Sequence, residues 1–165
     1  MINDYDHNLD GVHKKQYQCS EFGISVQYPD SWYIKENIEK LQVSFLPKND
    51  FNSKFKNNIT INIQDISMYD IDLDKYLESS LSQLKQMLKR FTLLKNESVS
   101  LSGSTAHILE YSHFYQSEII IFTKQIFTLV AKKVYLITFS CELDEWENSN
   151  KLVTDFISSF QVLQS

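Results

Sequence analysis

The stretch Val134–Cys141, VYLITFSC, constrains this chain more than any other. Tyr135, Ile137, Phe139 and Cys141 share one side of an extended strand, while Val134, Leu136, Thr138 and Ser140 share the other. Both sides are therefore largely covered near its start, which places the strand in the middle of a sheet. Ile119–Val130 reads as a long partner strand, joined to it through a turn at Ala131–Lys133. A second patterned stretch is Glu21–Lys35, EFGISVQYPDSWYIK. Phe22, Ile24, Val26 and Tyr28 alternate with small or polar residues, so one face is apolar. Pro29 cannot donate to a ladder and Pro-Asp-Ser favours a turn, so the strand stops at Tyr28 and the chain re-enters the fold at Trp32 as a core plug.

The remaining segments fit the same scheme. The first strand is expected over about Gln18 to Tyr28, a short one from Trp32, another through Leu41, Val43 and Phe45 that Pro47 ends, and a fourth through Ile59, Ile61 and Ile63. Thr92–Leu101 and Thr105–Phe114 flank a turn at Ser102-Gly103-Ser104. Leu73, Leu77, Leu81, Leu84 and Leu88 recur at helical steps behind the cap candidates Asp70 to Asp74, giving an amphipathic helix whose leucines pack on the sheet. A last helix is expected to start with a capping box of Asp144 and Glu147 and to bury Trp146, Val153, Phe156, Ile157 and Phe160. The fold class is α+β, an antiparallel sheet of about six or seven strands with two main helices. Met1–Lys15 is polar and aperiodic and is expected to be a mobile leader (1–15), with a single domain over 16–165.

A chain of 165 residues with 42% hydrophobic and 13% aromatic content has enough apolar material for one core and should fold unaided. Its net charge of −5, without any basic run longer than Lys89-Arg90 or Lys132-Lys133, argues against nucleic acid and against an acidic membrane surface as partners. No apolar run reaches the roughly 20 residues of a spanning helix, and the first 18 residues are too polar for a signal peptide. A transmembrane segment is not expected, and the chain reads as cytoplasmic or as a processed form.

Catalytic patterns are sparse. Gly11, Gly23 and Gly103 are the three glycines, so neither a phosphate-cradling loop nor a dinucleotide fingerprint can be written, and no cofactor is implied. There is no Gly-x-Ser-x-Gly elbow. Cys141 sits among apolar strand residues, where a structural thiol is expected rather than a nucleophile activated by His107. Cys19 and Cys141 are read as free or buried thiols, since spacing cannot show that they meet. His7 and His13 lack a ligand cluster, and His107 and His113 lie about 20 Å apart along one strand, too far to share an ion. Asp70, Asp72 and Asp74, and Glu142, Asp144, Glu145 and Glu147, cluster at helix starts, where a divalent cation is one use for them, but acids are favoured there for electrostatic reasons alone, which is the reading adopted. The chain is read as no enzyme. Lys48–Asn58 forms a long polar loop carrying Phe51 and Phe55; tucking of these rings onto the domain is the favoured reading, and their use as partner-binding residues is the candidate functional one.

Two stretches carry a family resemblance. FGISVQYPDSW (Phe22–Trp32) resembles the opening strand and "YP-x-x-W" turn of the PsbP-like proteins, and Val134–Cys141 with Trp146 and the closing Ser159-Phe160 resembles that group's last strand and final helix. The resemblance implies an α-β-α sandwich of the Mog/PsbP-like type, with a central antiparallel sheet and helices on both sides. It also implies a non-catalytic adaptor or assembly factor that binds another protein, type VI secretion adaptor chaperones being among the relatives. A small-molecule or lipid carrier with a pocket between helix and sheet is the alternative from another class, and an undetected hydrolase the third.

Overall fold

The computed structural model describes residues 12–48, 54–116 and 118–164. In chain order the strands are β1 (Lys14–Cys19), β2 (Ile24–Pro29), β3 (Trp32–Asn37), β4 (Gln42–Pro47) and β5 (Asn58–Asp65). Helix α1 (Leu73–Met87) follows, then β6 (Lys89–Leu101), β7 (Ser104–Tyr115), β8 (Ile119–Val130) and β9 (Lys133–Glu142). A 3₁₀ turn at Leu143–Glu145 leads into α2 (Trp146–Ser159), and β10 (Gln161–Val162) closes the chain.

Seven strands form one antiparallel sheet in the order β3-β4-β5-β9-β8-β7-β6, and β1-β2-β10 form a second. The period-2 alternation of β9 decides what each face holds. Tyr135, Ile137, Phe139 and Cys141 join a core with Val153 and Phe156 of α2 and with Tyr17, Ile24 and Val26 of the smaller sheet. Val134 instead joins Leu109, Tyr111 and Phe127, against which Leu73, Leu77, Leu81 and Leu84 of α1 pack. The helices thus lie on opposite faces of the large sheet, which is the expected α-β-α sandwich. Trp32 is 8% exposed and belongs to the α2-side core, as a plug behind the Pro29 turn.

Four local expectations need correction. The stretch Gln18–Tyr28 is two strands: β1 ends at Cys19 and a turn closed by Gly23 N–H to Ser20 O (3.2 Å), with Gly23 at φ 65°, precedes β2. The first strand takes in Lys14 and Lys15, whose partners are Pro29 and Tyr28, so the end of the leader expected at residue 15 lies inside a strand, and residues 1–11 of it lie outside the described residues. The short pair β10 with β2, and hence a second sheet, was not expected. The capping box of Asp144 and Glu147 does not form. Glu145 occupies the cap position without a side-chain hydrogen bond, because the 3₁₀ turn delivers the chain already in right-handed geometry (φ −87°, ψ −8°) and Trp146 N–H bonds to Leu143 O. At α1 the expectation holds: Asp72 caps the helix by accepting Lys75 N–H at 2.8 Å.

One surface cluster fastens the two layers on the α2 side. Asp155 of α2 pairs with Lys14 of β1 at 3.3 Å and with Lys151 at 3.2 Å. Partial burial pushes the Asp155 carboxyl up, but the hydrogen bonds from Lys151 and Lys14 outweigh it and hold the group below its ordinary value. A depressed carboxylate stabilises the folded state above the usual range near about pH 4, and that contribution is lost as pH falls through the folded value. Asp155→Asn is therefore expected to lower stability at neutral pH by under about 1 kcal/mol, the scale of an exposed pair. The gap between the two melting temperatures should close toward about pH 3, and a gap of constant size across that range would contradict the assignment.

Candidate partner-binding cleft

Three separated segments converge at the end of the large sheet where β8 begins and β9 ends. The β4–β5 connection contributes Lys54, Phe55 and Asn57; the start of β8 contributes Glu118, Ile119 and Ile120; Glu142 and the 3₁₀ turn contribute the rest. They enclose a cleft of about 930 Å³. Strand register brings the second and third segments together, because Ile121 faces Glu142 across the β8–β9 ladder. The first is tied in by a hydrogen bond, Phe55 N–H donating to Glu142 Oε1 at 3.2 Å. The Phe55 ring meets the Tyr115 ring edge-on, 5.4 Å between centroids, and Tyr115 pairs with Ile119 across the β7–β8 ladder.

The chemistry of this cleft is mixed. Phe55, Ile119, Ile120 and Leu143 give it apolar walls, and Leu143 (41%) and the neighbouring Tyr115 (40%) are large apolar side chains left in contact with solvent. Among the described residues that line it, Glu118, Glu142, Asp144 and Glu145 supply four carboxylates against the single ammonium of Lys54. Of these, Glu142 is engaged by the Phe55 amide, while Glu118, Asp144 and Glu145 are exposed. Their field reaches the adjacent core: burial, and then Glu145, Asp144 and Glu142, push the Cys141 thiol up to about 12.

The structure sorts the residues singled out from the sequence. Phe55 is tucked against Tyr115 and lines the cleft; Phe51 lies outside the described residues. Glu142, Asp144 and Glu145 come to the cleft, whereas Glu147 lies in the first turn of α2. His107 is hydrogen-bonded to Asn96 on β6 and its imidazole is lowered by burial, with Asp74 opposing. His113 lies beside Tyr111, 6.3 Å between rings. His13 accepts Asp30 N–H at its backbone carbonyl, and His7 lies outside the described residues. Among the described residues no group of three His, Cys, Asp or Glu side chains is placed to hold an ion. Ile119, Ile120, Leu143 and Glu118 escaped the sequence reading, since each looks like an ordinary strand end until the three segments are assembled.

Both cysteines are free. Cys141 is fully buried and its thiol is pushed up by that burial, while Cys19 is partly exposed. Titration with Ellman's reagent at pH 8 is expected to find one reactive thiol in the native protein and two after denaturation; rapid native reaction of both would contradict the burial of Cys141.

The DcrB family model matches residues 45–159, more than half of the chain and the whole set of residues that line the cleft. The chain belongs to the DcrB family. Beyond that DcrB match the likeness is one of fold. The solution structure of cyanobacterial PsbP (CyanoP) from Synechocystis sp. PCC 6803 superposes with a TM-score of 0.66 at 18% identity, covering 94% of this chain and 95% of that one. LpqN of Mycobacterium tuberculosis, described as involved in cell envelope biogenesis, gives a TM-score of 0.66 at 15% identity over 94% and 93%. The Ran-binding protein Mog1p of Saccharomyces cerevisiae gives 0.65 at 11% identity over 93% and 97%. Among curated proteins none matches this DcrB-family chain in sequence. The PsbP-like resemblance of Phe22–Trp32 and Val134–Phe160 is thus met by the fold of these neighbours. No helix among the described residues is long and apolar enough to cross a membrane.

Proposed function

We propose that this DcrB-family protein is a non-catalytic adaptor or assembly factor that binds another protein through the Phe55 cleft. The observation that carries the reading is the pairing of a roomy cleft with large apolar side chains, Leu143 and Tyr115, held at the solvent boundary beside it. Apolar groups rimmed by polar ones are the usual mark of a protein-interaction surface. The groups that could react favour the same reading: the Cys141 thiol is pushed up rather than down, and His107 is committed to Asn96. The Ran-binding description of Mog1p supports protein binding as a use of this fold, without indicating the partner here.

A carrier role finds less support. The pocket between α1 and the sheet, lined by Tyr76, Leu84, Gln125, Phe127 and Leu136 among others, measures about 210 Å³. Ligand sites commonly start at roughly 300 Å³.

Affinity capture from a lysate of the source cells tests the adaptor reading, using wild type and a Phe55→Ala, Leu143→Ala variant whose melting temperature is checked first. Proteins held by wild type and lost by the folded variant are the expected result. An unchanged set of captured proteins would remove the cleft from the proposal.

A further inference from the structure

The cleft carries more information than its presence, because its charge is one-sided. Among the described lining residues four carboxylates stand against one lysine around apolar walls, and Glu142 accepts a hydrogen bond from the Phe55 amide. Three exposed carboxylates, Glu118, Asp144 and Glu145, therefore face the occupant. Nucleic acid and anionic lipid would be repelled, since each brings phosphate to an acidic rim. A small free cation would leave the Phe55, Ile119, Ile120 and Leu143 walls unfilled. Fields from like charges along a low-dielectric cleft add, drawing in the opposite charge and rejecting the same one.

Resting on the adaptor reading above, we infer that the occupant is a segment of a partner protein in which lysine or arginine flanks one or two bulky apolar side chains. The apolar side chain fills the walls between Phe55 and Leu143. The basic groups reach Glu118 from one side and Asp144 and Glu145 from the other. Arginine suits this rim better than lysine, because its planar fork can take a carboxylate with two parallel hydrogen bonds. Association should be fast at low salt and fall steeply as salt rises, since the rim charges are exposed and screened.

The test uses three synthetic 12-residue peptides with the full-length, isotope-labelled protein. The first alternates Arg and Lys around a central Leu-Phe pair; the second replaces Leu-Phe with Ser-Ser; the third keeps Leu-Phe and replaces every basic residue with Glu. The first is expected to shift the backbone amide resonances of Phe55, Ile119 and Leu143. Its affinity should exceed that of the second peptide by about tenfold or more, and the third should give no shift at those amides. The isosteric variant Glu118→Gln, Asp144→Asn, Glu145→Gln should weaken the first peptide by about tenfold while leaving the spectrum dispersed. Absence of shifts with the first peptide, shifts mapping only to other surfaces, equal binding of the third peptide, or an undiminished affinity in the triple variant would each overturn the basic-partner inference. Those outcomes leave the adaptor reading to the capture experiment, where loss of partners on Phe55→Ala, Leu143→Ala is registered whatever charge the partner carries.

Discussion

Phe45→Ala should be the most damaging single truncation in the α2-side core, costing about 4 kcal/mol and shifting the urea midpoint down by about 2 M. Phe45 is wholly buried on β4, and three aromatic rings surround it: Tyr17 at 5.7 Å, Tyr28 at 5.3 Å and Phe156 at 5.1 Å. Those rings come from β1, β2 and α2, so a single side chain joins both sheets and a helix. Removing it opens a cavity whose walls are held by three different elements, none of which can collapse inward alone. Phe45→Leu, which retains most of the volume, is expected to cost under about 2 kcal/mol. Urea unfolding followed by tryptophan fluorescence separates these outcomes; a Phe45→Ala loss below about 1.5 kcal/mol would mean that the two sheets do not share this core.

Trp32→Ala should cost about 3 kcal/mol. Trp32 opens β3 directly after the Pro29–Ser31 turn and faces Pro47 across the β3–β4 ladder. Lys48 fastens the same corner, its N–H to Ser31 O at 3.1 Å and its ammonium to Asp30 O at 3.2 Å. The indole therefore arrives in the core from a turn that is fixed on both sides, and at 8% exposure nearly its whole surface is withdrawn from water. Trp32→Phe keeps an aromatic ring in place and should cost under about 1.5 kcal/mol. Near-equal destabilisation by Ala and Phe would show that the turn, and not the ring, carries the energy. Trp146 offers an internal contrast because it stacks on Phe122 at 4.1 Å near the cleft end of the sheet.

The large sheet was legible because its strands alternate cleanly. β5, β8 and β9 begin and end within a residue or two of the apolar pattern, and Asp72 announces α1. Where the pattern failed, a physical reason is visible. β1 is an edge strand of the small sheet, so Lys14, Lys15 and Gln16 are exposed and show no apolar period. Its turn into β2 passes through Phe22, which is buried despite lying outside both strands, so in the sequence the alternation runs on unbroken through Gly23. At α2 Asp144 and Glu147 have the spacing of a capping box, yet the 3₁₀ turn places Asp144 on the cleft instead of on the helix amides.

The cleft was the least legible part. Its members span Lys54 to Glu145, and only strand register and the Phe55–Glu142 hydrogen bond bring them together. Phe55 could be suspected because an aromatic residue in a polar loop is unusual, but its neighbours Ile119 and Leu143 look like normal strand and turn residues in one dimension. Similarly, Glu142, Asp144 and Glu145 fit a helix start so well by charge that nothing in their spacing suggests a second use.

Site-specific photo-crosslinking in the source cells asks whether a protein partner occupies the acidic cleft. A photoreactive amino acid is placed at Leu143 in the cleft or, as the control, at Met87, which is 79% exposed at the end of α1. A discrete protein adduct is expected from position 143 that the Glu118→Gln, Asp144→Asn, Glu145→Gln background diminishes, and none of that adduct from position 87. Adducts from position 87 with none from position 143 would contradict it.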